Sequence, residues 1–196
     1  MIFAIIIVCY LIGSIPTAYL LVKKLKGIDI RTVGSGNVGA SNASRVLGKW
    51  GFISVLTADA LKGLIPVLVL KSVYGQSGYV LAGAVAVILG HTFTCFLNFK
   101  GGKGVATGLG VFIALAPVST LIAAAAFGVM IYFFRMISLS SITAAFVIAV
   151  SVWFMSGWDA LRYFTVVIAA LVIFLHKSNI GRIINGTERK VGQKSS

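Results

Sequence analysis

"VATGLGVFIALAPVSTLIAAAAFGVMIYFF", residues 105–134, is the stretch on which the architecture of this chain turns. As one helix its 30 residues would extend about 45 Å, too long for a single upright crossing of a hydrocarbon core of about 30 Å. Divided, it gives two short helices. The place to divide it is Ala116-Pro117, because proline lacks the amide hydrogen that a continuous helix requires there.

The sequence on either side shows why the count matters. Of 196 residues, 59% are hydrophobic and only 11% charged, a composition outside that of soluble domains. Further apolar runs cover 2–22, 51–70, 78–97, 137–157 and about 160–175, so little remains for anything but a single membrane domain over 1–196. The first run has no basic leader and no small-residue cleavage site, which marks it as a retained span rather than a signal peptide.

Charge then settles the count. With 105–134 split, the segments 23–50, 98–104, 135–136 and the tail from 177 share one side and carry 14 of the 17 lysines and arginines; Lys71 and Arg162 lie opposite, and Lys62 lies within a span. Left whole, the run gives nine against seven, hardly an asymmetry. Because cytoplasmic loops gather basic residues, the split is preferred. The expectation is an all-α polytopic membrane protein with seven transmembrane helices, amino terminus outside, carboxyl terminus cytoplasmic, and two short helices within 105–134. The net charge of +13 then follows from loop topology and anionic membrane lipids, with some share left for anion handling; nucleic acid is not an expected partner. Cys9 and Cys95 stand in separate apolar runs without metal-site spacing.

The same count puts three polar, glycine-rich segments on the cytoplasmic face: "GSGNVGASNASR" (34–45), "KGGKGVATG" (100–108) and "HKSNIGRIINGTERK" (176–190). The first matches G-x-G-x-x-G over 34–39, with Asp59 twenty residues beyond Gly39. No strand precedes it and Asp59 lies in an apolar run, so a dinucleotide-binding unit is excluded. Glycines of this kind still let several amides aim at one anion, helped by a helix starting at "ASNASR" and by Ser41, Asn42 and Arg45. A tight re-entrant turn is the alternative. "KGGKG" is not a P-loop, since Gly104 follows Lys103 and Leu97 stands where the first glycine belongs. Its glycines either expose the Lys103 ammonium and adjacent amides to an anion or form a flexible loop whose lysines obey topology. In the third segment His176, Asn179 and Arg182 share a helical face, so three donors point one way; His176 alone also suits interfacial packing. Asp59 and Lys62 can pair at i,i+3, more as a brace than as the floor of a polar site, and His91 reads as a satisfied core group. Gly13, Ser14 and Pro16 should bend the first span.

No Gly-x-Ser-x-Gly elbow, HExxH, magnesium-holding acid cluster or His-x4-Asp occurs, and no metal or cofactor is expected. Donors and cations without an obvious base suit phosphorylated, already activated substrates. The segments "GSGNVGASNASRVLG", "GHTFTCFLNFKGGKGVATG" and "HKSNIGRIINGTERK", with "GSIPTAYLL" and "DALKG", resemble the bacterial acyl-phosphate:glycerol-3-phosphate acyltransferase family, the PlsY type. Ser41 replaces an expected threonine, and Thr94-Cys95 replaces a common Pro-Val. The resemblance implies transfer of a fatty acyl group from acyl phosphate to the 1-hydroxyl of glycerol 3-phosphate at the cytosolic face of the inner membrane, giving lysophosphatidic acid. It implies catalytic roles for Ser35, Arg45, Lys103, His176 and Asn179, which with Arg182 would hold glycerol 3-phosphate. Asn37, Gly39, Ala40, Ser41, Asn42, Gly101, Gly102, Gly104 and Thr107 would cradle acyl phosphate. The hydroxyl proton would pass to an acyl-phosphate oxygen, with His176 as the rival base. The alternative class is a transporter of a phosphorylated or other anionic solute.

Overall fold

The computed structural model describes residues 1–193, which form helices joined by turns, with no strand among them. Lys194, one of the basic tail residues, and the end of the 1–196 domain lie outside the described residues. The chain forms two compact units, Met1–Leu115 and Ala116–Ser196.

In the first unit α1 (Ile2–Ser14) and α2 (Thr17–Lys26) are separated at Ile15-Pro16, where proline forces the preceding residue out of helical geometry. Together they form one apolar stretch, Ile2–Lys26, long enough to cross a bilayer. α3 (Ala40–Tyr74) is 35 residues long but breaks at Gly48, whose φ of 69° belongs to the left-handed region. Residues 40–47 are thus a short separate helix, and the remainder, about 39 Å, suffices for a crossing. α4 (Gly78–Thr92) returns, and a 3-10 turn at Cys95–Leu97 leads into the glycine loop. α5 (Val105–Leu115) follows.

Backbones in this unit approach at glycines. A Cβ on Gly13 would collide with the Val87 carbonyl oxygen and one on Gly90 with that of Tyr10; Gly83 beside Ile5 and Cys9, with the Ser14 hydroxyl donating to the Gly90 carbonyl, shows that α1 runs parallel to α4. Likewise Gly63 meets the Thr107 carbonyl and Gly110 that of Ala60, joining α3 to α5. In lipid, where no hydrophobic force draws helices together, such close packing is the main source of association. Lys71 Nζ donates to the Ala114 carbonyl at 2.7 Å, placing the end of α5 beside that of α3. Since α5 spans only about 16 Å, its start and the loop before it lie well inside the length of α3.

Buried polar groups lock the break in the first helix pair. Asp59 and Lys62 form an ion pair of 2.8 Å with side chains 2% and 8% exposed. Lys62 Nζ also donates to the Ile15 carbonyl (2.9 Å), which the break leaves without a helical partner, and Thr17 Oγ1 donates to Asp59 (2.9 Å). Thr94 donates its hydroxyl to the Ser14 carbonyl and so ties the 3-10 turn to the same break.

The second unit holds α6 (Pro117–Phe134), α7 (Ile137–Met155), α8 (Asp159–Leu175) and α9 (Lys177–Ile184). The division at Ala116-Pro117 falls where expected, with proline at the first helical position, where its missing amide hydrogen costs nothing. The expectation of two short helices is corrected: α6 has 18 residues, about 27 Å, so only α5 is short. Among the described residues five helices are long and apolar enough to cross a bilayer, or six where α8 and α9, bent by 58° at His176, count as one broken span.

Candidate active site

The segment between α2 and α3 is pinned from below. Ile30 is fully buried in a cluster with Val22, Ala43 and Val55, and Asp29 accepts hydrogen bonds from the Arg31 amide (2.9 Å) and guanidinium (2.6 Å), which hold its carboxyl below the ordinary carboxylate value. Gly34 (φ 62°) and Gly36 (φ 68°) supply left-handed turns that side chains rarely adopt. Asn42, on the first turn of α3, is the loop's clasp: its Oδ1 accepts from the Ser35 amide, and its Nδ2 donates to the Ile30 and Val33 carbonyls, each at 3.0 Å. A Cβ on Gly34 would collide with that Oδ1. Asn42 is therefore corrected from a substrate donor to a structural residue, since its acceptor and both its hydrogens are taken up. α3 starts at Ala40 without a side-chain cap on Gly39. Around that start Ser35 and Arg45 are exposed, and Asn37, Gly39, Ala40 and Ser41 half-buried.

The second loop is a tight reversal rather than a flexible tether. Asn98 (φ 52°) and Phe99 (φ 59°) are both left-handed, costly for residues with side chains, and the Phe99 amide is held by the Thr94 carbonyl (2.9 Å). The Gly101 amide donates to the Thr92 carbonyl at 2.9 Å and the Gly102 amide to that of His91 at 3.0 Å. Those two amides are thus corrected from anion donors to anchors of the loop on the end of α4. The glycines are needed for closeness: a Cβ on Gly101 would strike the His91 and Thr92 carbonyl oxygens, and one on Gly102 the His91 ring. Gly102 and Gly104 are buried and Lys103 half-buried. Thr107 is fully buried against α3, and its hydroxyl has no hydrogen-bond partner.

These two loops reach one place. A small polar cavity is lined by Thr17, Val38, Asp59, Lys62, His91 and Gly102, among others, so the Asp59–Lys62 brace is also the floor of a polar recess. His91, read from sequence as core packing, stands between that floor and the glycine loop, with Nδ1 3.9 Å from Asp59. Nothing in the sequence separated it from an ordinary buried histidine.

In the second unit the third segment is organised around a carboxylate that sequence reasoning passed over. Glu188 accepts from Ser138 Oγ (2.6 Å), Asn179 Nδ2 (2.6 Å) and Arg182 Nε (2.6 Å), with its side chain 8% exposed. Its signal in the sequence was a lone acid among cations. The three donors of the shared face accordingly diverge: Asn179 and Arg182 turn to Glu188, while His176 Nδ1 lies 2.7 Å from the Val172 carbonyl one turn back. A carbonyl only accepts, so Nδ1 carries the proton and, in the neutral ring, Nε2 the lone pair.

Burial pushes the Glu188 carboxyl up, but the hydrogen bonds from Ser138, Asn179 and Arg182 and the Arg182 charge outweigh it and hold it below its ordinary value of 4.5. A carboxyl depressed on folding stabilises above its unfolded value, and that contribution is lost as pH falls through the folded value. Glu188→Gln is expected to lower stability by about 2 kcal/mol at neutral pH. In thermal unfolding the gap from wild type should narrow below about pH 4.

The helices, their apolar faces and the buried charges define an all-helical integral membrane protein. The family model described as glycerol-3-phosphate acyltransferase matches residues 3–186, and the chain belongs to that family of membrane acyltransferases. It is 50% identical over 183 residues to the glycerol-3-phosphate acyltransferase of Geotalea daltonii, covering 93% of this chain and 94% of the relative. To that of Fusobacterium nucleatum it is 47% identical, covering 96% and 97%. Its structure is similar to the crystal structure of PlsY (YgiH), an integral membrane glycerol 3-phosphate acyltransferase, in the glycerol 3-phosphate form: TM-score 0.92, 39% identity, 97% of this chain and 96% of that one. The lysophosphatidic acid form of PlsY matches with a TM-score of 0.90 at 38% identity, over 97% of this chain and 95% of that one.

Proposed function

We propose that the chain transfers a fatty acyl group from acyl phosphate to the 1-hydroxyl of sn-glycerol 3-phosphate, releasing lysophosphatidic acid and inorganic phosphate in an early step of phospholipid synthesis. The observation that carries this is the full-length likeness to PlsY, solved in a glycerol 3-phosphate form and a lysophosphatidic acid form, two molecules that differ by one acyl group. The donor is inferred from chemistry. An acyl phosphate is a mixed anhydride with a good leaving group, so it needs neither a covalent intermediate nor the His-x4-Asp arrangement that this chain lacks. The whole chain, 1–196, acts as one acyltransferase domain. It crosses the inner membrane seven times, with its amino terminus outside and its chemistry cytosolic. The parallel packing of α1 with α4 and of α3 with α5 supports that alternation.

Ser35, Arg45, Lys103, His176 and Asn179 are proposed to hold glycerol 3-phosphate, with Arg182 acting from its ion pair with Glu188. The amides and side chains around Asn37, Gly39, Ala40 and Ser41 at the uncapped start of α3, with Gly104 and the Thr107 hydroxyl, are proposed to face acyl phosphate. Cationic and amide donors aligned on both phosphates would supply proximity and stabilise the oxyanion that forms at the attacked carbonyl. The hydroxyl proton leaves either to an acyl-phosphate oxygen or to His176. The Nδ1–Val172 hydrogen bond favours the second route, because it makes Nε2 of the neutral ring an acceptor, suited to a hydroxyl rather than a phosphate. His176→Ala is then expected to lower kcat by about 100-fold with a much smaller change in the KM for glycerol 3-phosphate; kcat retained with KM raised would return the proton to the substrate.

Transport is the rival, and assay geometry separates the two. Lysophosphatidic acid made by purified protein in detergent, with no membrane to cross, supports acyl transfer. Uptake of labelled glycerol 3-phosphate into proteoliposomes, without product in detergent, would replace it.

A further inference from the structure

We propose that His91 is a positioning residue, the seat on which Gly102 rests and through which the place of Lys103 is fixed. The inference rests on the acyl-transfer reading above. His91 is buried at the end of α4 and touches the glycine loop twice. Its carbonyl accepts the Gly102 amide at 3.0 Å, and its ring lies directly against the Gly102 Cα, leaving no room for a Cβ. The ring's other nitrogen faces Asp59 (3.9 Å), which Lys62 (2.8 Å) and Thr17 (2.9 Å) hold in turn, and Lys62 is moored to the Ile15 carbonyl. A run of contacts therefore leads from the break in the first helix pair, through the buried ion pair and across 3.9 Å to the imidazole, whose ring packs against the residue preceding Lys103. A hydrophobic side chain of equal size would fill the space but would not be oriented by Asp59.

The two glycines offer a steric test, because they meet different parts of His91. The atoms closest to a Cβ on Gly102 are Nε2, Cε1 and Cδ2 of the His91 ring, whereas those closest to a Cβ on Gly101 are backbone atoms of His91 and Thr92. Neither glycine has a left-handed φ, so alanine is conformationally admissible at both. Trimming the ring should relieve Gly102→Ala and leave Gly101→Ala unrelieved.

The experiment measures transfer from palmitoyl phosphate to labelled glycerol 3-phosphate by the purified full chain in detergent. Gly102→Ala is expected to lower kcat/KM by about 100-fold, the effect of displacing a binding group by about an ångström. Adding His91→Ala should raise the activity of that variant by about tenfold, although His91→Ala alone lowers it, while the same addition to Gly101→Ala recovers nothing. A residue that merely supported the fold would make the losses add. A wild type that is active, with the His91→Ala/Gly102→Ala protein no better than Gly102→Ala, overturns the proposal and leaves the reaction standing. Should Gly102→Ala not fold, recovery of folded, active protein in the double variant supports the proposal, and no recovery overturns it. No product from folded wild type defeats the acyl-transfer reading and this role with it.

Discussion

Lys103→Ala is expected to remove nearly all acyl transfer, with kcat/KM falling about 1,000-fold, while the protein stays folded. The reason lies in how the loop is anchored. Gly101 and Gly102 hang on the end of α4 by backbone hydrogen bonds, and α5 begins two residues after Lys103, so the truncation leaves those anchors in place. What goes is the charge on the residue next to Gly102, which lines the polar recess, and the loss of one preorganised donor on a developing anion costs about 100- to 1,000-fold. Arginine should not restore it, because a planar fork does not reproduce a compact ammonium beside two buried glycines. Labelled lysophosphatidic acid formation, read beside an unchanged size-exclusion profile, checks the result. Activity equal to wild type would remove Lys103 from the site.

Lys62→Met should be the most destabilising single change. It leaves the Asp59 carboxylate, 2% exposed, with the Thr17 hydroxyl at 2.9 Å and His91 at 3.9 Å but without its cation. Breaking a buried pair by removing one partner costs about 3 kcal/mol or more, because the remaining charge is uncompensated. The Ile15 carbonyl also loses one of its two donors, keeping the Thr17 amide. Thermal unfolding in detergent should show a Tm lower by about 10 °C. Adding Asp59→Asn should recover part of that loss, since no buried charge then remains. An unchanged Tm in Lys62→Met would mean that the pair does not brace the helix break.

Much of this arrangement was legible in the sequence. Proline at 117 and the distribution of lysines and arginines located the division of 105–134, and Asp59 with Lys62 announced their pairing by spacing. What was not legible depended on where backbones come together. The glycines at 101 and 102 read as freedom for an anion to approach, whereas their amides are bound to α4, a contact between segments ten residues apart that no local pattern encodes. Asn42 read as a donor because asparagine at a helix start often is one; only the folded loop shows both its hydrogens on the Ile30 and Val33 carbonyls. Glu188 was visible as a lone acid, but its partners Ser138 and Asn179 lie on different helices. The length of α6 was misjudged because the break was placed correctly while the shortfall was shared between both halves instead of falling on α5.

The most direct measurement supplies the purified protein with labelled glycerol 3-phosphate and either palmitoyl phosphate or palmitoyl-CoA, and counts lysophosphatidic acid and inorganic phosphate together. The account predicts product with palmitoyl phosphate, one phosphate released per acyl chain transferred, and little product with the thioester. Product from palmitoyl-CoA alone, or none from either donor with folded protein, would contradict it.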